Sequence, residues 1–336
     1  MAGPGLGLKS YMQIGPKEAT YGTFQTPTKK LEVVSFNVAP NIGVIRDSSL
    51  SNSPSRRGLY QGGYNFKGTF VVRANYEGLL ELFRGVAGGY SHAVADTTAH
   101  DHLFKEAAAL NSYSIEVAMG DVPTNNPGKV FRLLGAKFSG LTVRGTAGTG
   151  NDAMLMCEFT VVAKDMTSVN TPTGALAFPA ILPILYHQAT IVDSGVSDLT
   201  GDARVRSFEF ALENPLAEDR FYLGSVNADE PLRQDFLKAT FKFTQEFTTA
   251  GQFEAARAFA VASPVLLFKH PDVIGATTKT REFELHANQA NIVEFSDPVD
   301  AYGVLVSTCT LEAFLDPIGD ASSYAMRFTN TETALP

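Results

Sequence analysis

The two cysteines of the chain, Cys157 and Cys309, are its first candidates for chemistry, because a thiol pair can form a disulfide, act in redox reactions or bind a metal ion. Each begins a run of alternating apolar and polar residues, CEFTVVAKD and CTLEAFLDP. Both share a strand face with apolar neighbours, so each is predicted to be a small buried residue. If the two runs are copies of one unit in separate cores, the thiols lie beyond the Cα separation of about 7 Å that a disulfide allows.

Imidazole and carboxylate groups cluster in HAVADTTAHDH, residues 92–102, which holds His92, His100 and His102 together with two aspartates. These are the ligand types of transition-metal sites. His100 and His102 are only two residues apart in a segment without a regular pattern, so a solvated loop is favoured over a metal site.

Other patterns that would carry chemistry are incomplete. Leu8 separates Gly7 from Lys9, so GPGLGLKS lacks the Gly-Lys-Ser/Thr of a phosphate loop. DSGVSDLTGD lacks the acidic spacing of a calcium loop, and neither G-x-S-x-G nor H-E-x-x-H occurs. No carboxylate stands in a context that suggests a raised pKa. The chain is therefore predicted not to be an enzyme and to need no metal or cofactor. A hydrolase with a dispersed triad is the catalytic alternative.

Alternation with period two dominates the sequence, as in SYSIEVAM, RSFEFALE and LKATFKFTQ. This pattern predicts antiparallel strands with one packed face. Two short helices interrupt the strands. NYEGLLELFRG has Asn75 as its N-cap and Gly85 as its stop, and TAGQFEAARAF has the capping-box spacing of Thr249 and Gln252.

An internal repeat organises these strands. SFNVAPN aligns with SFEFALEN, and residues 131–165 align with 283–317 without a gap, so that the two cysteines coincide. The first copy carries extra residues at about 86–110, which are predicted to be a surface insertion. The sequence thus predicts a mainly β chain of two tandem antiparallel β-sandwich or barrel domains, 1–170 and 171–336, each with one flanking α-helix.

Two long segments follow equivalent strands of the repeat, at residues 40–63 and 214–235. Both exceed the roughly 12–15 residues that are usual for a structureless connection in a compact domain. We expect arms that reach a neighbouring subunit; mobile surface loops are the alternative. The candidate contact residues are Arg46, Arg56, Arg57 and Tyr60 in the first segment and Asp219, Arg220, Tyr222 and Arg233 in the second.

The 336 residues carry a net charge of −8, which divides into +3 for residues 1–165 and −11 for 166–336. A basic surface that grips nucleic acid is therefore not expected. The acidity fits solubility, a head-to-tail partner or a surface that repels polyanions. No apolar segment approaches the roughly 18 residues of a membrane span. The few cysteines and the lack of an apolar signal segment favour folding in a reducing cytoplasm.

The chain resembles a known family over most of its length, and most specifically in its first half. The chain is similar to the tail tube proteins of long, non-contractile-tailed bacteriophages in three stretches: EATYGTFQTPTKKLEVVSFNV, SNSPSRRGLYQGGYNFKGTFVVRANYEGLLELFRGVAGGYSH and SYSIEVAMG. The resemblance implies a β-sandwich or barrel with one helix, rings that stack into a hollow tube, and an arm from each domain that packs on the adjacent ring. It also implies assembly in the bacterial cytoplasm and a final place in the virion tail.

The family commonly uses six tube domains per ring, so two domains per chain imply a trimer, or a hexamer with six extra domains outside. The trimer is favoured because both copies keep the long segment. Implied partners are the chain itself, the tape measure protein, and the tail terminator and distal tail proteins. Double-stranded DNA is expected to pass through without specific binding.

Polar residues opposite the core face of one predicted strand, Glu282, Glu284 and His286, are hypothesised to line the lumen or a subunit seam; simple solvent exposure is the alternative. A second class of function is a tandem β-sandwich module that binds a receptor or a carbohydrate. Such modules usually expose aromatic platforms, whereas this chain has no Trp and places Phe mostly at core positions.

Overall fold

The computed structural model of the protein describes residues 10–48, 55, 58–120, 130–150, 153–174, 176–191, 204–246, 251–296, 305–316 and 322–336. These residues form a mainly β protein with two antiparallel sheets and two short α-helices. The mainly β, antiparallel class that the period-two alternation predicted is confirmed. In the described part of the chain no helix has the length and apolar character that a membrane crossing requires.

The strands of the first half are β1 Tyr11–Lys17, β2 Lys29–Leu31, β3 Ser35–Arg46, β4 Leu59–Arg73, β5 Gly88–Asp96, β6 Ala99–Glu106, β7 Tyr113–Ala118, β8 Val130–Thr146, β9 Met156–Ala163 and β10 Asp165–Val169. Those of the second half are β11 Ala189–Ile191, β12 Val205–Glu213, β13 Lys238–Glu246, β14 Val261–Ala262, β15 Val265–Val273, β16 Thr280–Ala287, β17 Gln289–Ser296, β18 Val306–Phe314 and β19 Tyr324–Asn330. The helices are α1 Leu80–Ala87 and α2 Gly251–Arg257, and a 3-10 turn spans Tyr186–Gln188.

The internal repeat is visible as two four-stranded units with the same strand order. The first unit is β3-β4-β9-β8 and the second is β12-β13-β18-β17. Val143 lies opposite Cys157 in the first unit, and Phe295 lies opposite Cys309 in the second. The sequence alignment matches Val143 with Phe295 and Cys157 with Cys309, and the structure pairs the same positions in each unit. The two units therefore have the same register along this strand pair.

The two units are joined side by side through β8 and β12. These strands pair antiparallel from Gly140 opposite Glu213 to Thr146 opposite Ser207. The units thereby form one path of eight strands within a thirteen-stranded sheet, and buried apolar residues of both halves form one cluster. The division of the chain into separate domains near residue 170 stays a prediction.

The second sheet also draws on both halves, in the order β11-β15-β16-β19-β6-β5. Residues 88–106, within the predicted surface insertion, form the β5–β6 hairpin, and β6 pairs with β19 near the C-terminus. The solvated loop expected at residues 92–102 is therefore wrong. The alternation of this segment is masked by its histidines, one of which, His102, is fully buried.

Helix α1 starts and ends later than the sequence suggests. Gly78 has φ +92°, a left-handed conformation that a helix cannot contain, so the helix begins at Leu80 and not near Asn75. Gly85 lies inside the helix, and Gly88 caps it with φ +85° and an N–H donated to the Arg84 carbonyl.

The two helices differ in how they are covered. Every residue of α1 is buried, and its Phe83 ring contacts aromatic rings of both sheets, those of Phe104, Phe159, Phe283 and Phe328. In α2, the Phe253 side chain is 49% exposed. The helix of the first unit is thus enclosed by the rest of the chain, whereas the helix of the second unit is partly exposed.

This difference predicts unequal costs of truncation. Phe83→Ala should lower the free energy of unfolding by about 3–5 kcal/mol, because it empties the junction of the two sheets. Phe253→Ala should change it by less than about 1 kcal/mol, because the ring is half in water. Urea unfolding monitored by circular dichroism measures both; similar losses would contradict the packing described here.

Candidate assembly surfaces

The first long segment is an extension of two strands. Beyond the sheet, β3 and β4 continue as a hairpin in which Val44 pairs with Gln61, Ile45 with Tyr60 and Arg46 with Leu59. We call described residues 42–48 and 58–61 the first arm. Its apolar side chains are 46–66% exposed: Ile42, Val44, Ile45, Leu59 and Tyr60.

Such a ribbon of exposed apolar residues is typical of a protein–protein contact and costly to leave in water. Of the residues predicted here, Arg46 and Tyr60 lie on this arm; Arg56 and Arg57 lie outside the described residues.

The second long segment, residues 214–235, has little regular structure and packs on the first half of the same chain. We call it the second arm. It is attached at its start by Asn214, which is buried and donates hydrogen bonds to the Val86 carbonyl at 3.0 Å and the Phe138 carbonyl at 3.2 Å. Arg233 donates to the Ala107 carbonyl at 2.7 Å and to Asn214 Oδ1 at 2.8 Å.

Further contacts carry the second arm across the ends of the first unit's strands. The Lys137 ammonium, on the buried part of β8, lies 2.6 Å from Glu230 and donates to the Pro231 carbonyl. At the base of the first arm, the Tyr64 N–H donates to the Val226 carbonyl at 2.8 Å. The Phe221 ring lies so close to Gly63 that a Cβ there would sit 2.5 Å from it. The second arm therefore spans the first unit from β8 to β4.

The other predicted residues of the second arm bind within the same chain. Arg220 donates to Tyr222 Oη at 2.8 Å and to the Glu230 carbonyl, and lies 3.7 Å from Asp229. Asp219 accepts the Phe221 N–H through its main-chain carbonyl. A contact of this arm with a neighbouring subunit stays a prediction.

The outer strands of the eight-strand path have unpaired stretches. In the described structure β3 pairs only with β4. At the opposite end, β14 pairs with Asn291 and Ala290 of β17, while described residues 292–296 of β17 pair with β18 alone. Val293 is 46% exposed. Unpaired stretches of this kind at the edge of a sheet can pair with a strand of another chain.

The exposed face of the eight-strand path is polar and carries charges of alternating sign. One row runs across three paired strands from Arg144 to Glu209 to Lys242, with Glu158 3.5 Å from Arg144. A second row places Lys238 opposite Glu213 and 3.5 Å from Glu312. Each of these charges has a neighbour of opposite sign, so the described residues of the two rows form no extended positive patch.

The three candidates for a lumen or seam share the outward face of β16 in the other sheet. Glu282, Glu284 and His286 alternate with the buried Phe283 and Leu285. Glu282 lies 2.9 Å from Lys269, and Glu284 lies 3.7 Å from Arg327. Because the two sheets pack face to face, this polar face and that of the eight-strand path point in opposite directions.

Titratable side chains inside the fold are explained by packing. Glu81 of α1 is 2% exposed, and burial raises its pKa to about 7, so the expectation that no carboxylate has a raised pKa is wrong. Its surroundings become apolar only when both sheets pack around the helix, which the local sequence does not indicate. Burial lowers the pKa of His102, whose ring binds Tyr90 Oη and the Glu332 carbonyl. Within the described residues no group of three or more His, Cys, Asp or Glu side chains could hold a metal ion.

The cysteines are free and buried, as predicted. Burial raises the pKa of the Cys157 thiol far above its usual range and that of Cys309 to about 12. Neither thiol is therefore reactive near neutral pH.

Two packed antiparallel sheets with free edges and an exposed apolar arm are typical of a structural β protein that associates with other copies. The family model described as phage tail tube protein matches residues 7–305, and the chain belongs to that family. Members of this family are structural proteins of the phage tail, so the predicted resemblance to phage tail tube proteins is confirmed, whereas the long, non-contractile type of tail stays a prediction. A search of curated proteins finds no significant match.

The anchoring of the second arm predicts a local effect. Asn214→Ala removes the donors to two buried carbonyls and the acceptor for Arg233, and should cost about 1–3 kcal/mol. Trypsin should then cleave after Arg220 faster than in the native protein, as followed by mass spectrometry. Ser225→Ala is the control, since its hydroxyl binds only within the arm. Equal cleavage of the two variants would show that Asn214 does not hold the arm.

Proposed function

We propose that three copies of this chain close into a ring in which the eight-strand paths join edge to edge, and that rings stack into the tube through which phage DNA is ejected. The observation that carries this proposal is the pairing of β8 with β12. Within one chain, β8 at the edge of the first unit pairs with β12 at the edge of the second, and this pairing is the precedent for a junction between copies. The equivalent strands, β17 and β3, lie at the two ends of the path; in the described structure β3 pairs only with β4, and the outer edge of β17 is paired only at Ala290 and Asn291, by β14.

The repeat supplies the register of the proposed junction. In the sequence alignment, β8 corresponds to β17 and β12 to β3, with SFNVAPN matched to SFEFALEN, so the pairing of Arg144 with Glu209 translates into Ser296 of one copy opposite Asn37 of the next. The pairing of Val143 with Phe210 translates into Phe295 opposite Val38. Both apolar residues face the core side, and Phe295 is only partly buried in the single chain. The junction would complete a core that each copy leaves open.

A designed disulfide tests this register. Asn37→Cys together with Ser296→Cys should give covalently linked trimers under mild oxidation, because directly opposite residues have Cβ atoms about 4.5–5.5 Å apart. Non-reducing electrophoresis of the assembled protein measures the product. Cys157 and Cys309 should not interfere, because both thiols are buried and largely protonated.

The control for the disulfide is Asn37→Cys with Phe295→Cys. A shift of one residue places the second thiol on the opposite face of the strand, so no linked product is expected. Linkage in this control equal to that of the designed pair, or oligomers in which neither pair links, would overturn the proposed junction.

The polar face of the eight-strand path is proposed to line the lumen. Alternating charges give duplex DNA no run of cations to bind, so the DNA can pass without being held. Glu282, Glu284 and His286 then lie on the outer side of the tube. The competing alternative is that these three residues line the lumen. In this proposal the chain acts by shape and charge and performs no catalysis.

The remaining partners are proposed from family membership. The tape measure protein would occupy the lumen before ejection, and the terminator and distal tail proteins would bind the two ends of the tube. Assembly would take place in the host cytoplasm.

Charge reversal separates the two faces. Glu158→Lys with Glu209→Lys turns the row through Arg144 and Lys242 entirely positive. Phage carrying this variant should eject DNA more slowly, with the rate restored by salt, because each new phosphate contact weakens as salt rises. Glu282→Lys with Glu284→Lys makes the same change of charge on the other sheet and should eject normally. The reverse outcome would place the lumen on the second sheet.

A further inference from the structure

We propose that the first arm docks across the strand ends of the second unit of the neighbouring copy in the same ring, on an apolar patch formed by Phe236, Phe314 and Leu315. This inference rests on the proposed ring, because the copy that β3 pairs with is the copy that its arm reaches. It differs from the expectation that both arms bridge adjacent rings.

The second arm is the intramolecular precedent. It leaves β12, the strand that pairs with β8, and then crosses the strand ends of the unit it has joined. On its way it binds Lys137 of β8 through Glu230 and Lys67 of β4 through Glu218. Both lysines lie opposite Val162 of β9 in the sheet. Val162 and its neighbour Ala163 are 2% and 1% exposed in the finished chain.

The corresponding positions of the second unit are much more exposed in the described structure. The repeat carries Val162 onto Phe314 and Ala163 onto Leu315, which are 38% and 52% exposed. Gln289 pairs with Phe314 as Lys137 pairs with Val162, so the same local arrangement is present.

The base of the arm site shows the same contrast. Tyr64 exchanges main-chain hydrogen bonds with the second arm, and the sequence alignment of YNFKGTFVVR with FLKATFKFTQ places Phe236, which is 92% exposed, at the equivalent point before β13. Because Ala239 pairs with Ala313, Phe236 lies at the same end of the sheet as Leu315. Three large apolar side chains are thus exposed where the first unit is covered by an arm.

The first arm is the occupant that matches this patch. It leaves β3 as the second arm leaves β12, and it carries five exposed apolar side chains without a cover in the described structure. The halves that would meet carry opposite net charges, +3 for residues 1–165 and −11 for 166–336, which favours a head-to-tail contact between copies. A second copy of this chain therefore supplies both surfaces.

Photocrosslinking tests the contact. Full-length protein with Tyr60→p-benzoylphenylalanine is assembled, irradiated and separated into single rings and stacked tubes. Mass spectrometry should find position 60 of one copy linked to the peptide of a second copy that contains Phe236, or to the one that contains Phe314 and Leu315, in both fractions. Val94→p-benzoylphenylalanine, on the exposed side of β5, is the control and should give neither link.

A patch variant completes the experiment. Phe236→Ser with Leu315→Ser alters exposed residues, so the monomer should fold, and the link from position 60 to this region should be lost. Links from position 60 only to other segments, or only in stacked tubes, would overturn the docking while the Asn37–Ser296 disulfide still forms. If neither the disulfide nor any ring forms, the docking and the proposed function are both overturned.

Discussion

The pairing of β8 with β12 is the interaction on which the rest of the structure depends. It joins two equivalent units into one sheet and brings the strand that leads into the second arm against the first unit. Hydrogen bonds between strand edges are unspecific by themselves. The register is set by the core face, where Phe208, Phe210 and Leu212 must enter the interior together, and a shift of one residue would expose all three.

Much of this architecture could be predicted from the sequence, because it depends on local alternation. The cysteines mark the same strand in both units, and the period-two runs place the phenylalanines on one face. The β5–β6 hairpin could not be predicted, because β6 pairs with β19, more than two hundred residues away. The late start of α1 depended on the left-handed conformation of Gly78, and the raised pKa of Glu81 depended on two sheets closing around it.

The sequence identified the two segments that form the arms, but it did not indicate what each arm contacts. Loop length alone singled out both arms, yet it could not reveal that the second arm folds onto its own chain through Asn214 and Arg233, since these contacts join distant residues. The resulting asymmetry has a functional meaning in the proposed ring. The first unit is finished by the second, whereas the second keeps an exposed helix, a free strand edge and an apolar patch for the next copy.

Cryo-electron microscopy of the assembled protein, viewed along the tube axis, tests the central claim most directly. We expect three copies per ring, a continuous lumen wall to which each copy contributes eight strands, and Arg144, Glu209 and Lys242 facing the channel. Rings of six copies in which only one unit of each chain reaches the wall would contradict it, as would a wall formed by the sheet that contains Glu282 and Glu284.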